Sequence, residues 1–232
     1  MKTATEFMGF PKETVEFFID LKKNNNRAWF NEHRQDYEEY VLAPAQHFVM
    51  ALAERLKKDR PDLIAIPRID RAIFRLNRDV RFSRDKSPYK THLGIWLWEG
   101  ERPKLESPGF YFHLEPPDIM LSSGIYIFSP DELALFRKTA TRPGTGNGLK
   151  RVLSALKKKG YLFGGKYYKR IPRGYTPDSL NADLLLYNGF YTDHSRKIPK
   201  LLHSAKWADY CYKVFRDMVP LHEWFIKMLK NR

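Results

Sequence analysis

A chain of 232 residues with 43% hydrophobic and 15% aromatic content can bury a substantial core, which excludes a disordered polymer. Its 41 Lys and Arg against 27 Asp and Glu leave a formal charge of +14, which favours anionic partners without choosing among phosphorylated small molecules, nucleic acid and acidic membrane faces. The single cysteine, Cys211, excludes an internal disulfide and fits a reducing compartment; with no apolar run long enough to cross a bilayer and no secretory signal, a cytoplasmic protein with no membrane partner is expected.

The stretch GFPKETVEFFIDLKKNNN opens a helix near Pro11, sets Val15, Phe18, Ile19 and Lys22 at helical spacing, and stops at three asparagines, which favour caps and turns. A helical hairpin follows. NRAWFNEHRQDYEEYV puts Trp29, Phe30, His33, Tyr37 and Tyr40 on one broad face, Pro44 interrupts, and FVMALAERLKK continues to a stop at Arg60 and Pro61.

From Arg71 the period changes to two. Phe74, Leu76, Val80 and Phe82 alternate with Arg75, Asn77, Asp79 and Arg81, with Arg78 alone breaking the apolar face, which predicts a strand. THLGIWLW, GFYFHLE and DIMLSSGIYIF predict three more, the last two joined at Pro116 and Pro117 as in an antiparallel meander. SPDELALFRKTA restarts helix with a capping box from Ser129 to Glu132 and Pro130 at the first helical position. A second helix is expected over residues 147–159, a short strand at KYYKRIP, and an aromatic-rich helix over residues 204–230 with a kink or break at Pro220. The sum is an α+β chain, a central, mainly antiparallel sheet flanked by N-terminal and C-terminal helices, in a single domain over residues 1–232.

The stretch NRDVRFSRDKSPYK, residues 77–90, concentrates five cations and two carboxylates around one Phe, one Tyr and a Ser-Pro turn. On a strand, Arg75, Asn77, Asp79 and Arg81 would point the same way, and guanidinium forks bind phosphate or carboxylate oxygens bidentately. Lys86, Tyr89 and Lys90 could curl back over that face because Ser87 and Pro88 favour a turn. The competing reading is a set of ion pairs, Arg78 with Asp79 and Arg84 with Asp85, that fixes a bend in the chain.

NNNRAWF (residues 24–30) and FRLNRDVRFSRDKSPYKTHLG (residues 74–94) resemble a widespread uncharacterised microbial family, domain of unknown function 2461. YFHLEP, SSGIY, RIPRGY and the late Pro220 and Leu221 extend the resemblance over almost the whole chain. The resemblance implies an α+β single domain whose shared residues match Asn25, Trp29, Phe30, Arg75, Arg78, Asp79, Arg81, Phe82, Asp85, Lys86, Pro88, Tyr89 and Lys90. It implies no activity.

Other signals compete for a partner. From Leu133 to Pro177 there is no Asp or Glu, while Lys and Arg add twelve positive charges interleaved with Tyr161, Phe163, Tyr167, Tyr168 and Tyr175, the composition that single-stranded nucleic acid requires. Lysines on an amphipathic helix and alternating aromatics are equally a solvated face and a core. RPGTGNGLKR, with Gly144, Gly146, Gly148 and Lys150, lacks the spacing of a phosphate-cradling loop and reads as a flexible interhelical loop. The seven histidines show no close metal-ligand spacing, so no metal site is expected; His92 and His113, on neighbouring strands, read as structural. Cys211 reads as a packed, inert thiol.

Three readings stay open. In the first, Asn25, Trp29, Arg75, Arg78, Arg81, Tyr89 and Lys90 bind an anionic, phosphate-bearing small molecule, and if the ligand is also transformed, Asp79, Asp85 and Lys86 are the catalytic candidates. The second is a nucleic-acid-binding module using residues 133–177, and the third a non-catalytic protein in which the motif is an ion-pair latch. The residues single out no cofactor.

Overall fold

The computed structural model describes residues 6–231. The chain is α+β, with helices flanking a five-stranded antiparallel sheet. Its strands are β1 (Leu93–Trp98), β2 (Gly109–Glu115), β3 (Asp118–Ile125), β4 (Leu162–Lys166) and β5 (Tyr187–Lys197), in the order β1-β2-β3-β5-β4. The chain divides into two compact units, each drawn from several stretches of the sequence. One takes the segment up to Leu97 with Tyr111–Leu121 and Ser195–Lys213; the other takes Trp98–Phe110, Ser122–His194 and the chain from Val214 onward.

In the first unit, α1 (Lys12–Lys23) buries Thr14, Phe17, Phe18 and Leu21, one helical stripe, and ends at Asn24. After α2 (Arg27–Glu32), capped by the Asn26 side chain accepting from the Trp29 N–H, α3 (Arg34–Asp36) runs through a π-helical turn at Tyr37–Leu42 into α4 (Ala43–Leu56). Pro44 therefore does not interrupt the helix. Proline cannot donate to the carbonyl four residues earlier, and here that carbonyl, Tyr40, accepts instead from the hydroxyl of buried Thr14. The core gathers Phe10, Phe18, Leu21, Phe48, Leu52, Phe112 and Trp207, with Phe10 stacked on Phe112 at 5.6 Å.

The second unit is centred on Phe136, Phe190 and Phe225, whose rings lie within 6.4 Å of one another. Helix α5 (Pro130–Thr141) opens with both halves of the Ser129/Glu132 capping box in place. Helix α6 (Pro143–Lys158) begins earlier than expected, so Gly144, Gly146 and Gly148 are its first turns and no interhelical loop separates it from α5. A Cβ on Gly146 would fall 2.2 Å from the Ala140 carbonyl oxygen, and the Asn181 amide donates to the carbonyls of both Ala140 and Gly146. The glycine is a packing requirement between two helices.

Two strand expectations need correction. KYYKRIP forms no strand; β4 lies just before it, over LFGGK, paired antiparallel with β5. Residues 71–81 also form no strand of the sheet: only Ala72 and Phe74 bond to the edge of β1, through Trp96 N–H to Ala72 O (2.8 Å) and Phe74 N–H to Gly94 O (3.0 Å). Helix α7 (Trp207–Lys230) continues through Pro220 as one element.

Candidate functional site

Beyond Phe74 the chain leaves β1 and doubles back on itself. Lys90 N–H bonds Leu76 O (2.8 Å), Asn77 bridges Tyr89, and Arg78 N–H bonds Pro88 O (2.8 Å), so residues 76–90 form an irregular two-armed loop. Pro88 has no N–H, and the backbone of Tyr89 is taken by the Asn25 side chain, which donates to Tyr89 O (2.9 Å) and accepts from Tyr89 N–H (3.0 Å). Those absences keep the loop from extending the sheet. The Tyr89 ring stacks on buried Phe30 at 4.3 Å, fastening the loop to α2.

Most polar groups of the motif are engaged with one another. Arg78 pairs with Asp85 and donates to Ser87 O. Asp85 also accepts from the Ser87 N–H (2.9 Å) and hydroxyl (2.6 Å), and these bonds, followed by Arg78, hold its carboxyl well below the usual range. The pairing expected within Arg78–Asp79 and Arg84–Asp85 is thus exchanged for Arg78–Asp85 and Arg81–Asp79, the latter a forked contact at 2.8 to 3.3 Å that lowers the Asp79 pKa. Lys86 donates to Val80 O (3.0 Å). Trp29 stacks on His33 at 4.0 Å and leans on Phe17 at 5.6 Å. Phe82 projects from the tip, 95% exposed, with the Arg81 guanidinium 5.7 Å from its ring centre.

Four cations of this stretch, Arg75, Arg84, Lys86 and Lys90, form no ion pair among the described residues. Two of them are held together: the Lys90 ammonium is fixed to Arg75 O at 3.0 Å and lies 5.5 Å from the centre of the Phe74 ring. Burial, followed by the nearby Arg75 charge, lowers the Lys90 pKa.

Next along the chain lies a cluster that the sequence treated as structural. His92, immediately before β1, and His113 and Glu115, on one face of β2, offer ligand atoms all within 4.8 Å of one another. The His92 and His113 rings are 4.3 Å apart; His113 Nδ1 meets the Tyr111 hydroxyl at 2.9 Å and its Nε2 lies 3.4 Å from Glu115 Oε2, while the Thr91 hydroxyl donates to Glu115 Oε1 at 3.0 Å. Gly94 admits this arrangement, since a Cβ there would lie 2.9 Å from the Tyr111 hydroxyl. Burial, then His113 and Lys90, push His92 down to about 4 against the opposing pull of Glu115. Burial also lowers His113; it would raise Glu115, but the Thr91 and histidine contacts outweigh it and leave that carboxyl lowered. The signal available in the sequence was the His113, Glu115 pair two residues apart, which a strand presents on one face.

In the second unit, the acid-free segment divides. Tyr161 is buried and donates to Asp217 (2.9 Å), which also pairs with Lys159; Phe163 stacks on Phe190 at 5.7 Å; Arg137 lies 4.9 Å from the Tyr168 ring centre. Lys150, Arg151 and Lys158 line a shallow groove on α6 that no aromatic side chain joins. Among the described residues no helix is long and apolar enough to cross a membrane.

The family model for conserved hypothetical proteins, domain of unknown function 2461, matches residues 13–224, so the chain belongs to that family. No curated protein and no solved structure matches it.

Proposed function

We propose that the protein binds an anionic, phosphate-bearing small molecule at Arg75 and Lys90, in the cytoplasm. The observation that carries this reading is the juxtaposition of Arg75, just before the loop, and Lys90, at its end, neither in an ion pair and the lysine partly desolvated, beside two imidazoles and a carboxylate. Asp70 acts on Lys90 and Asp79 on Arg75 without forming an ion pair with either; like charges held together in this way are stabilised by an anion, and a guanidinium fork with an ammonium suits phosphate oxygens. The cytoplasmic setting rests on Cys211, a buried free thiol of the kind reducing compartments preserve.

Within this reading the remaining motif residues divide the labour. Asn25, Arg78, Asp85 and Tyr89 set the shape of the loop, and Asp79 holds Arg81. Asp79 and Asp85, both with lowered pKa, are weak bases at neutral pH, so any proton transfer to or from the ligand falls to groups nearer Lys90.

Ligand-induced thermal stabilisation tests the proposal, because binding to the native state raises the unfolding midpoint by mass action. Screened over inorganic phosphate, nucleotides, sugar phosphates, simple carboxylates and short oligonucleotides, a phosphate-bearing small molecule should raise the midpoint. The rise should vanish in Arg75→Met and Lys90→Met and persist in Arg81→Met, whose fork Asp79 already occupies. A rise unaffected by Arg75→Met, or produced by none of the compounds, refutes the site; a rise produced by oligonucleotides alone transfers the function to nucleic acid.

A further inference from the structure

We infer that His92, His113 and Glu115 form a binding site for a first-row divalent cation such as zinc or ferrous iron. Two imidazoles and one carboxylate are borderline donors suited to these metals, and here they come from two neighbouring segments with ligand atoms within 4.8 Å of one another. The separation of His113 Nε2 from Glu115 Oε2, 3.4 Å, is long for a hydrogen bond. It matches the edge of a tetrahedron whose metal–ligand bonds are about 2.1 Å, which is about 3.4 Å. His92 brings its donor within 4.8 Å of both, and its ring lies against that of His113, at 4.3 Å between centres.

The surrounding groups are those a metal site uses. A ligating histidine needs its other ring nitrogen held, and a ligating carboxylate its second oxygen. His113 Nδ1 is held by the Tyr111 hydroxyl at 2.9 Å, which leaves Nε2 facing Glu115; Glu115 Oε1 is held by Thr91 at 3.0 Å, which leaves Oε2 facing His113. These two donor atoms face one another with room between them for a bridging cation. Three protein ligands leave at least one coordination position for water or an anionic oxygen, the arrangement of reactive rather than structural metal sites. The inference stands independently of the anion-binding reading, since it uses different side chains, and it goes beyond that reading by supplying a Lewis acid beside Lys90.

Chelator-treated protein titrated with Zn²⁺ against a chromophoric chelator should bind one equivalent per chain. His113→Ala and Glu115→Gln should abolish that equivalent, Tyr111→Phe should weaken it by about 10- to 100-fold as for other outer-shell partners, and His47→Gln, remote in sequence and outside the cluster, should leave it unchanged. Should His113→Ala fail to fold, imidazole NMR signals of the unaltered chain decide: zinc must shift those of His92 and His113. Absence of binding, an equivalent that survives Glu115→Gln, or shifts confined to other histidines overturns the site. Arg75→Met should leave zinc affinity intact, so loss of the anion-binding reading and loss of the metal site are separate results.

Discussion

The Asn25 side chain holds both backbone groups of Tyr89, donating to its carbonyl at 2.9 Å and accepting from its N–H at 3.0 Å, across 64 residues of sequence. One planar amide thereby does what a neighbouring strand does in a ladder, and it fixes the return arm of the loop against α2. Replacing it with alanine leaves two partly buried backbone groups without partners, which costs about 1–3 kcal/mol. Asn25→Ala should lower the urea midpoint accordingly, and Asn25→Asp, which keeps the acceptor but turns a carboxylate oxygen toward the Tyr89 carbonyl, should be no better. An alanine variant as stable as the parent would show that the clamp contributes nothing.

The Asp85 carboxylate ties the loop to acid. Its pKa is depressed in the folded chain, mainly by the Ser87 hydroxyl and N–H and then by Arg78, from an ordinary 3.8. The unfolded chain therefore takes up this proton first as pH falls, so the stabilisation is complete above the ordinary carboxylate value and declines from there downward until the folded form protonates too. Unfolding midpoints of the parent and Asp85→Asn should differ by a constant amount near neutrality and converge at acid pH below about 4. A gap that widens on acidification reverses the sign and removes Asp85 from its role.

Much of this architecture was legible, and the reasons for the rest are local. Helix α5 announced itself through Ser129, Pro130 and Glu132, and α1 through Pro11 and the asparagines at its end, although the stripe it buries is Thr14, Phe17, Phe18 and Leu21, not Val15, Phe18, Ile19 and Lys22, of which Ile19 and Lys22 are exposed. Strand β4 was hidden because Gly164 and Gly165 carry no strand propensity; Gly164 is needed because a Cβ would fall 2.2 Å from the Tyr191 ring, and Gly165 because a Cβ would fall 2.1 Å from the Gly189 carbonyl. Residues 71–81 alternate like a strand, yet alternation records only which side chains are buried, and Asn25 and the turn at Ser87 and Pro88 decide where the backbone bonds go. The motif's charges were legible as a group, but which carboxylate meets which arginine depends on the path of residues 81–87. The His113, Glu115 pair was legible as two residues on one strand face, but bringing His92 to it depends on cross-strand placement, which no spacing along the chain encodes.

Cys211 sits on α7 with no exposure, and burial pushes its thiol well above the ordinary value. Thiolate is the reactive form. Native protein at neutral pH should therefore resist iodoacetamide while the urea-unfolded chain takes up one equivalent. Labelling of the native form at the unfolded rate would place the thiol in solvent and remove the argument for its inertness.

Gly146 and Gly148 invite the same substitution with opposite outcomes. Both are interior to α6, where alanine in place of glycine normally stabilises by about 0.8–1 kcal/mol through backbone entropy. At Gly148 a Cβ would meet nothing within 4 Å, so Gly148→Ala should gain close to that amount. At Gly146 the same Cβ would sit 2.2 Å from the Ala140 carbonyl oxygen and 2.9 Å from Leu180, in the corner that Asn181 ties together by donating to Ala140 O and Gly146 O. Relief requires moving backbone, so Gly146→Ala should destabilise despite its better helix propensity. Chemical unfolding of the two variants decides it: midpoints that rise together would mean that these glycines are no more than a flexible start to the helix, whereas midpoints that move apart identify Gly146 as the contact that lets α5 and α6 meet.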